Sequence, residues 1–365
     1  MELTRYFTPY YLIQIIFKKR ENKIAPLSLA LMNAASKYYL AENSAFLDHF
    51  VDLESKIAVY PEYRTLLTAL QRFNDHEEGP TGGQSDFDND ASLLLGVIPF
   101  ALIEFSMRGP SAIHNLTART TLKRQIEATH NTPRAHISAF FYFGLINSIL
   151  RARRLNNDEP LVKEQVIAAL DEGILDVTYQ LRAYKYHNVM QYFVRLDRGI
   201  FAKNNIIKPS VSIAKIKKSE LVKSNYVVEA LEVMIYGLIH SHDEASLLEF
   251  IYSLPGEGNL GIAPALALAA LAYEPTLPFN EEVLQSSTFD NALMDSVSLP
   301  MNKMIVEATE AAITGDDETC DDNIALFYSE YCRRGFPLIS YDEFYFNALE
   351  AVKSAIDSFI KSQLN

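Results

Sequence analysis

The chain has 365 residues, of which 48% are hydrophobic and 22% charged, which excludes a disordered protein and suffices for one large core or two ordinary domains. Its formal net charge of -13 argues against nucleic acid and anionic membranes as partners, because both require a basic face. Only 14 glycines and 15 prolines interrupt recurrent leucine- and alanine-rich stretches. This pattern predicts an all-α fold and favours one compact domain.

Two further features bear on the compartment. Cys320 and Cys332 show no motif spacing, which is typical of reduced thiols in the cytoplasm. The N-terminal run YYLIQIIF is too short to span a bilayer, and only Arg5 precedes it whereas KKR follows it, which is the opposite of a signal peptide. A cytoplasmic protein is therefore predicted.

Apolar residues at helical spacing predict helices at 5–20 and 27–42, then amphipathic helices in SAFLDHFVDL and PEYRTLLTALQRF. Residues 74–90 are polar, acidic and glycine-bearing, and they predict a surface loop of the kind that is often functional or mobile. The nearly all-apolar ASLLLGVIPFALIEF comes next. We expect it to form a helix buried in the centre of a bundle, N-capped by the acidic loop.

The second half of the pattern is also helical. SAIHNLTARTTLKRQIEATH predicts an amphipathic helix, after which Thr132 caps and Pro133 opens the next helix, RAHISAFFYFGLINSILRAR. LVKEQVIAALDEGILDVTYQLRAY predicts another helix, and the basic residues 203–224 predict an exposed connector. Residues 280–363 predict three or four more helices around the acidic turn TGDDETCDD.

The stretch from Asn225 to Tyr273 predicts three helices separated by the breaks SHD and PGEG. Gly256 and Gly258 bracket Glu257, so the backbone can bend sharply there. The N-terminus of the alanine-rich helix that follows then points towards whatever lies beside Glu257 and Asn259.

The order and spacing of these segments resemble the ADP-ribosylglycohydrolases of the dinitrogenase-reductase-activating type. The resemblance rests on VVEAL at 227–231 with SLLEFI and GEGNLGIAPALALAA after it, on ATHNTPRAH with its long apolar helix, on GVIPFALI, and on IAPLSLALMNAASKYYL. Residues 25–273 are covered. The resemblance implies a compact helical bundle over residues 1–279, with residues 280–365 as a helical extension packed on it.

In that family, aspartates and threonines of two motifs hold two divalent cations, usually magnesium, which polarise the ribose of ADP-ribose and position the attacking water. Here the first motif falls on Ile24, Ala25, Pro26 and Leu27, which offer no side-chain oxygen. The second leaves only Glu257 and Asn259. The family's glycine-rich Gly-Asn-Gly loop appears as DFDNDASLLLG, without its glycines or its arginine. The resemblance thus implies a dismantled metal site.

Other polar residues offer weaker candidates. Asp86, Asp88 and Asp90 alternate as in a calcium loop but lack its glycine and distal glutamate, so a solvated acidic loop is favoured. His130 lies at a helix junction, where a histidine usually bonds nearby backbone. His240 and His242 have only Asp243 beside them as a further metal ligand.

The candidate catalytic residue is Glu257. The candidate ligand-binding residues, expected around an ADP-ribose or nucleotide-like ligand, are Asn259, Gly256, Gly258, Asp86, Asp88, Asp90, Thr129 and His130. No metal ligand and no cofactor are predicted; magnesium is expected only for a rearranged site.

Three functions compete. The first is a catalytically impaired relative that binds a protein partner or a nucleotide-like ligand as a scaffold. The second is an active hydrolase that removes ADP-ribose or a related modification, built on Glu257, Asn259 and residues 86–90. The third is a protein-interaction module without a small-molecule ligand.

Overall fold

The computed structural model describes residues 45–75, 80–157, 159–182, 191–193, 195–196 and 216–273, with a few isolated positions elsewhere. The chain divides into two compact units, Met1–Ser286 and Ser287–Asn365, and almost every described residue belongs to the first. Several predictions lie outside the described residues, apart from isolated positions: the helices at 5–20 and 27–42, the connector at 203–215, the helices beyond 280, and both cysteines.

The described residues form α-helices and 3-10 helices with no strand. The α-helices are α1 (Glu54–Ile57), α2 (Arg64–Asn74), α3 (Leu93–Arg108), α4 (Leu116–Thr129), α5 (Pro133–Leu155), α6 (Lys163–Arg182), α7 (Val227–His240), α8 (Glu244–Tyr252) and α9 (Ile262–Ala272). The 3-10 helices are Phe46–Leu53, Pro61–Tyr63, Gly109–His114, Gln191–Phe193 and Lys218–Glu220. The all-α prediction is confirmed. In the part of the chain described, every helix is too short or too polar to cross a bilayer.

Helix α5 is the centre of the core. Each residue from Ala135 to Leu150 is buried, so the helix has no solvent face over four turns. Helices α3 and α9 pack against it and against each other, and all of α9 is buried as well. The prediction of a central buried helix at ASLLLGVIPFALIEF is therefore confirmed, and the helices predicted at the other two places are buried as well.

The helix starts follow from capping residues. Thr132 Oγ1 accepts from the Ala135 amide at 3.1 Å and Pro133 opens α5, as the sequence predicts. Asn115 caps α4, so the helix predicted from residue 111 begins instead at Leu116, after a 3-10 turn. Phe46–Leu53, predicted as an α-helix, is a 3-10 helix.

Helices α5 and α6 pack against each other through two facing glycines. A Cβ added at Gly144 would lie 2.4 Å from Val177 Cγ2, and one added at Gly173 would lie 2.8 Å from the Gly144 carbonyl oxygen. Neither position leaves room for a side chain. Because both residues are glycines, the two helices can approach each other closely at this point.

Glu232 is a carboxyl group inside the bundle, on α7. It is 6% exposed, and its Oε2 lies 3.4 Å from Nη1 of Arg195. Burial raises the pKa of Glu232 to about 7, and the Arg195 guanidinium offsets only part of that increase. The folded protein therefore holds a proton on Glu232 at pH values at which the unfolded chain has lost it.

We predict that the free energy of unfolding falls by about 3 kcal/mol between pH 4.5 and pH 7 because of Glu232 alone. In this window the folded state binds one more proton than the unfolded state, so stability decreases as pH rises. Glu232→Gln should remove the effect and be increasingly more stable than wild type towards pH 7. Urea denaturation at four pH values measures the difference.

The control is Glu249→Gln, which makes the same chemical change on the exposed face of α8. Its stability should follow that of the wild type at every pH. A difference between Glu232→Gln and wild type that stays constant from pH 4.5 to pH 7 would contradict the assignment.

Candidate functional site

Residues 80–92, here called the crossing loop, connect α2 to α3 and bind the junction between α4 and α5. The Gly82 amide donates to the Glu127 carbonyl at 3.2 Å, and the Gly83 amide donates to the Thr129 carbonyl at 3.3 Å. In return, the Asn131 amide donates to the Gly83 carbonyl at 2.8 Å. These three backbone hydrogen bonds hold this end of the loop alongside the end of α4.

The other end of the crossing loop binds the start of α7. The Ala91 amide donates to the Asn225 carbonyl at 2.8 Å, and the Val227 amide donates to the Asn89 carbonyl at 2.9 Å. The Asn89 side chain also accepts from the Thr132 hydroxyl, which caps α5. The prediction of a surface loop at 74–90 is thus confirmed at residues 84–87, which are exposed, and wrong at Thr81, Gly82, Gly83, Asn89 and Asp90, which are buried.

Asp90, Ser92 and His130 form a polar cluster at the start of α3. Asp90 Oδ1 accepts from the Ser92 amide at 3.0 Å and from the Ser92 hydroxyl, and it lies 3.3 Å from His130 Nε2. His130 Nδ1 lies 2.9 Å from the Thr129 hydroxyl, which itself donates to the Ile126 carbonyl. His130 is 1% exposed, so the cluster is enclosed.

The electrostatics of the cluster favour an ionised aspartate. Burial alone would raise the pKa of Asp90, but the positive charge of the His130 ring and the hydrogen bonds from His130 and Ser92 hold it below its usual value of 3.8. A buried negative charge of this kind is tolerated because it is paired and hydrogen-bonded.

Serine, histidine and aspartate together suggest nucleophilic catalysis, but the geometry differs from that of a catalytic triad. In a triad the carboxylate and the serine bind opposite nitrogens of the imidazole, so a proton can pass through the ring. Here Asp90 Oδ1 and Ser92 Oγ both face Nε2, at 3.3 and 3.5 Å. Ser92 also donates its proton to Asp90. The three side chains therefore stabilise the start of α3.

A small cavity of about 20 Å³ lies beside this cluster. Ser92, Thr129 and His130 line it together with Gln125, and apolar side chains such as Phe46 and Phe50 close the other side. Gln125 donates to the Gly96 carbonyl at 3.1 Å, whereas its buried Oε1 has no hydrogen-bond partner. A space of this size accommodates one or two water molecules.

Asp86 and Asp88 point away from the cluster. Asp86 is exposed and forms an ion pair with Arg134, and Asp88 Oδ2 accepts from the Ser85 amide at 2.9 Å. The alternating aspartates therefore have three different environments. Of the three, only Asp90 meets the other predicted residues Thr129 and His130.

The PGEG turn packs on residues 223–225. Gly256 has a φ of 105°, and the carbonyl of the preceding residue, Pro255, accepts a hydrogen bond from the Lys223 amide at 2.8 Å. A Cβ added at Gly258 would lie 1.9 Å from the carbonyl carbon of Ser224. The two glycines therefore allow close contact with a neighbouring segment of the chain, while Glu257 between them is exposed.

Asn225 binds the turn that leads into α9. Its Oδ1 accepts from the amides of Asn259 at 2.9 Å and Leu260 at 3.1 Å. The start of α9 was expected to point towards whatever lies beside Glu257 and Asn259, and the backbone of the turn before it binds Asn225. Asn225 was missed because its partners lie more than thirty positions away in the sequence.

The two histidines near the break after α7 have local contacts. The His240 ring packs on Tyr236 at a centroid distance of 4.2 Å, and His242 Nε2 lies 3.5 Å from Asp243 Oδ2. Asp243 caps α8 through the Ser246 amide. Among the described residues, no three His, Cys, Asp or Glu side chains lie close enough together to share a metal ion.

The sequence matches no profile of a known protein family and no functionally characterised protein at a significant level.

We predict that Gly258→Ala lowers the free energy of unfolding by about 2–3 kcal/mol, because the added methyl group overlaps backbone atoms of Ser224 that cannot move without breaking the Asn225 hydrogen bonds. The control Glu257→Ala, at the exposed position next to it, should change stability by less than about 0.5 kcal/mol. Thermal and urea denaturation measure both. Equal stability of the two variants would mean that the turn is not packed on residues 223–225.

We also predict that Asp90→Asn costs about 2 kcal/mol at pH 7, since it removes the charge that His130 and Ser92 face in a buried site. Asp52→Asn, at an exposed position, is the matched control and should be neutral. If His130 and Asp90 act together, Asp90→Asn should cost much less in a His130→Gln background. Additive losses in that double-mutant cycle would contradict the coupling.

Proposed function

We propose that this protein is a catalytically impaired relative of the ADP-ribosylglycohydrolases that acts as a binding or regulatory scaffold. One observation carries the proposal. In the two segments that resemble the family's glycine-rich loop and its second metal motif, the polar groups bind other parts of the protein.

The first of these segments is the crossing loop. Phosphate binding by such a loop requires free backbone amides at a helix N-terminus. Here the amides of Ala91 and Ser92 donate to Asn225 and to the Asp90 carboxylate. Asp90 is in turn engaged with His130. These two amides and Asp90 Oδ1 are therefore engaged at the start of α3.

The second segment is the PGEG turn. The amides of Gly258, Asn259 and Leu260 all donate within the protein, the first to Lys223 at 3.1 Å and the others to Asn225. Glu257 is exposed on the outside of this turn. A carboxylate exposed to water binds a divalent ion weakly unless further oxygen ligands converge on it. These contacts support the view that the turn stabilises the fold and no longer binds a ligand.

Charge stabilisation is usually the largest contribution to catalysis of this type. A hydrolase that removes ADP-ribose would need substitutes for two divalent cations, with Glu257 and Asn259 as the candidate groups at the turn. The backbone amide of Asn259 binds Asn225, and Glu257 is exposed to water. Two such groups are poor substitutes for two divalent cations, which favours the scaffold over the rearranged hydrolase.

The test is calorimetric titration with ADP-ribose in the presence and absence of magnesium, combined with an assay for release of ADP-ribose from an ADP-ribosylated arginine peptide. We expect neither magnesium-dependent binding nor release, and Glu257→Gln should behave like the wild type. Binding without magnesium and without release would identify a nucleotide-binding scaffold. No binding at all would leave protein partners as the ligands.

An active hydrolase would give the opposite results. Magnesium-dependent binding together with release that Glu257→Gln abolishes would replace the proposal with an active hydrolase built on a rearranged site. Glu257→Ala has no predicted effect on stability, so loss of activity in a Glu257 variant could not be attributed to unfolding.

A further inference from the structure

Phe87 is the most exposed large apolar side chain among the described residues, at 88%. It lies at the tip of the crossing loop, on the side opposite to the buried Asp90 cluster. Scattered exposed apolar side chains are normal on protein surfaces. What distinguishes Phe87 is that its backbone is fixed and that both of its chain neighbours are aspartates.

The backbone on both sides of Phe87 is fixed by short-range hydrogen bonds. The Asp88 amide donates to the Ser85 carbonyl at 3.0 Å, and the Phe87 amide donates to the Ser85 hydroxyl at 3.2 Å. Asn89, buried below, donates its side-chain amide to the Asp86 carbonyl at 2.9 Å. These hydrogen bonds fix the backbone that carries the ring, which lowers the entropy lost when a partner binds.

The loop is also joined to α5. Asp86 forms an ion pair with Arg134, whose guanidinium stacks over the Tyr192 ring at 4.1 Å and lies 3.4 Å from the Tyr226 hydroxyl. Tyr192 is itself partly exposed. Phenylalanine, tyrosine and arginine together have the composition of energetically dominant residues in protein interfaces.

The negative charge beside Phe87 favours a positively charged partner. Residues 75–90 contain six acidic residues and no lysine or arginine; Asp90 among them is buried, and Asp86 is paired with Arg134 of α5. Asp86 and Asp88 directly flank the ring. A phosphate backbone or an anionic lipid surface is repelled by such a segment, whereas a positively charged protein surface is attracted.

We propose that Phe87 is the anchor of a docking surface for a partner protein with an apolar pocket edged by lysine or arginine. The proposal deepens the scaffold function and rests on it. The ring fills the pocket, and the flanking carboxylates pair with the basic edge.

The test uses the full-length protein with Phe87→p-benzoylphenylalanine, a photoreactive aromatic analogue, irradiated in extract of the cells that produce it. The matched control places the same analogue at Leu155, which is 82% exposed at the end of α5. We expect a protein adduct at position 87 that is absent at position 155. Mapping the adduct should place it in an apolar pocket edged by basic residues.

Binding of that purified partner then measures the contribution of the ring. Phe87→Ala should weaken binding about 30-fold, as for a central aromatic anchor, and Leu155→Ala should not. Raising the salt concentration should also weaken binding, because the flanking charges are exposed. Both variants should retain the wild-type melting temperature, so that lost binding reports on the surface.

The surface is ruled out if no protein is captured at position 87, if the adduct is nucleic acid, lipid or a second copy of this chain, or if Phe87→Ala binds as tightly as the wild type. A partner captured at position 155 and not at 87 would leave the scaffold function in place and remove this surface. Release of ADP-ribose in the assay described above would remove the scaffold function itself.

Discussion

The crossing loop satisfies buried backbone groups that no helix can satisfy by itself. The first amides of every helix lack partners within that helix, and a helix start placed in the interior needs other acceptors. Thr132 caps α5, Asp90 accepts from the Ser92 amide just before α3, and Asn225 accepts from the amides of the turn before α9. Since Asn89 binds Thr132 and residue 225 binds residue 91, these three acceptors belong to one connected network. The arrangement of the central helices depends on it.

Periodicity and punctuation in the sequence were enough to predict most of the helices described. The helices α3, α5 and α9 could be predicted because long apolar runs are compatible only with burial, and α5 also because a threonine cap and a proline mark its start. The position of α4 was less accurate, because the preceding residues form a 3-10 turn that has the same apolar spacing. Local signals determine whether a helix forms better than where it begins.

The candidate site was predicted less well, since its contacts join distant parts of the chain. His130 and Asp90 are forty positions apart, and nothing local indicates that they meet. The glycines of the PGEG turn were interpreted as room for a ligand. A glycine signals that something approaches the backbone closely, without identifying what it is. At Gly258 the approaching group is the backbone of Ser224.

The two faces of the crossing loop have different physical requirements. Its inner face, with Asn89 and Asp90, must satisfy buried amides, so a substitution there alters stability before it alters any interaction with a partner. Its outer face carries the exposed side chains of Asp86 and Phe87. The inner hydrogen bonds nevertheless fix the backbone from which Phe87 projects. The hydrogen bonds that stabilise the helix starts therefore also fix the backbone that carries the exposed ring. In this way the structural role of the loop supports the proposed scaffold role.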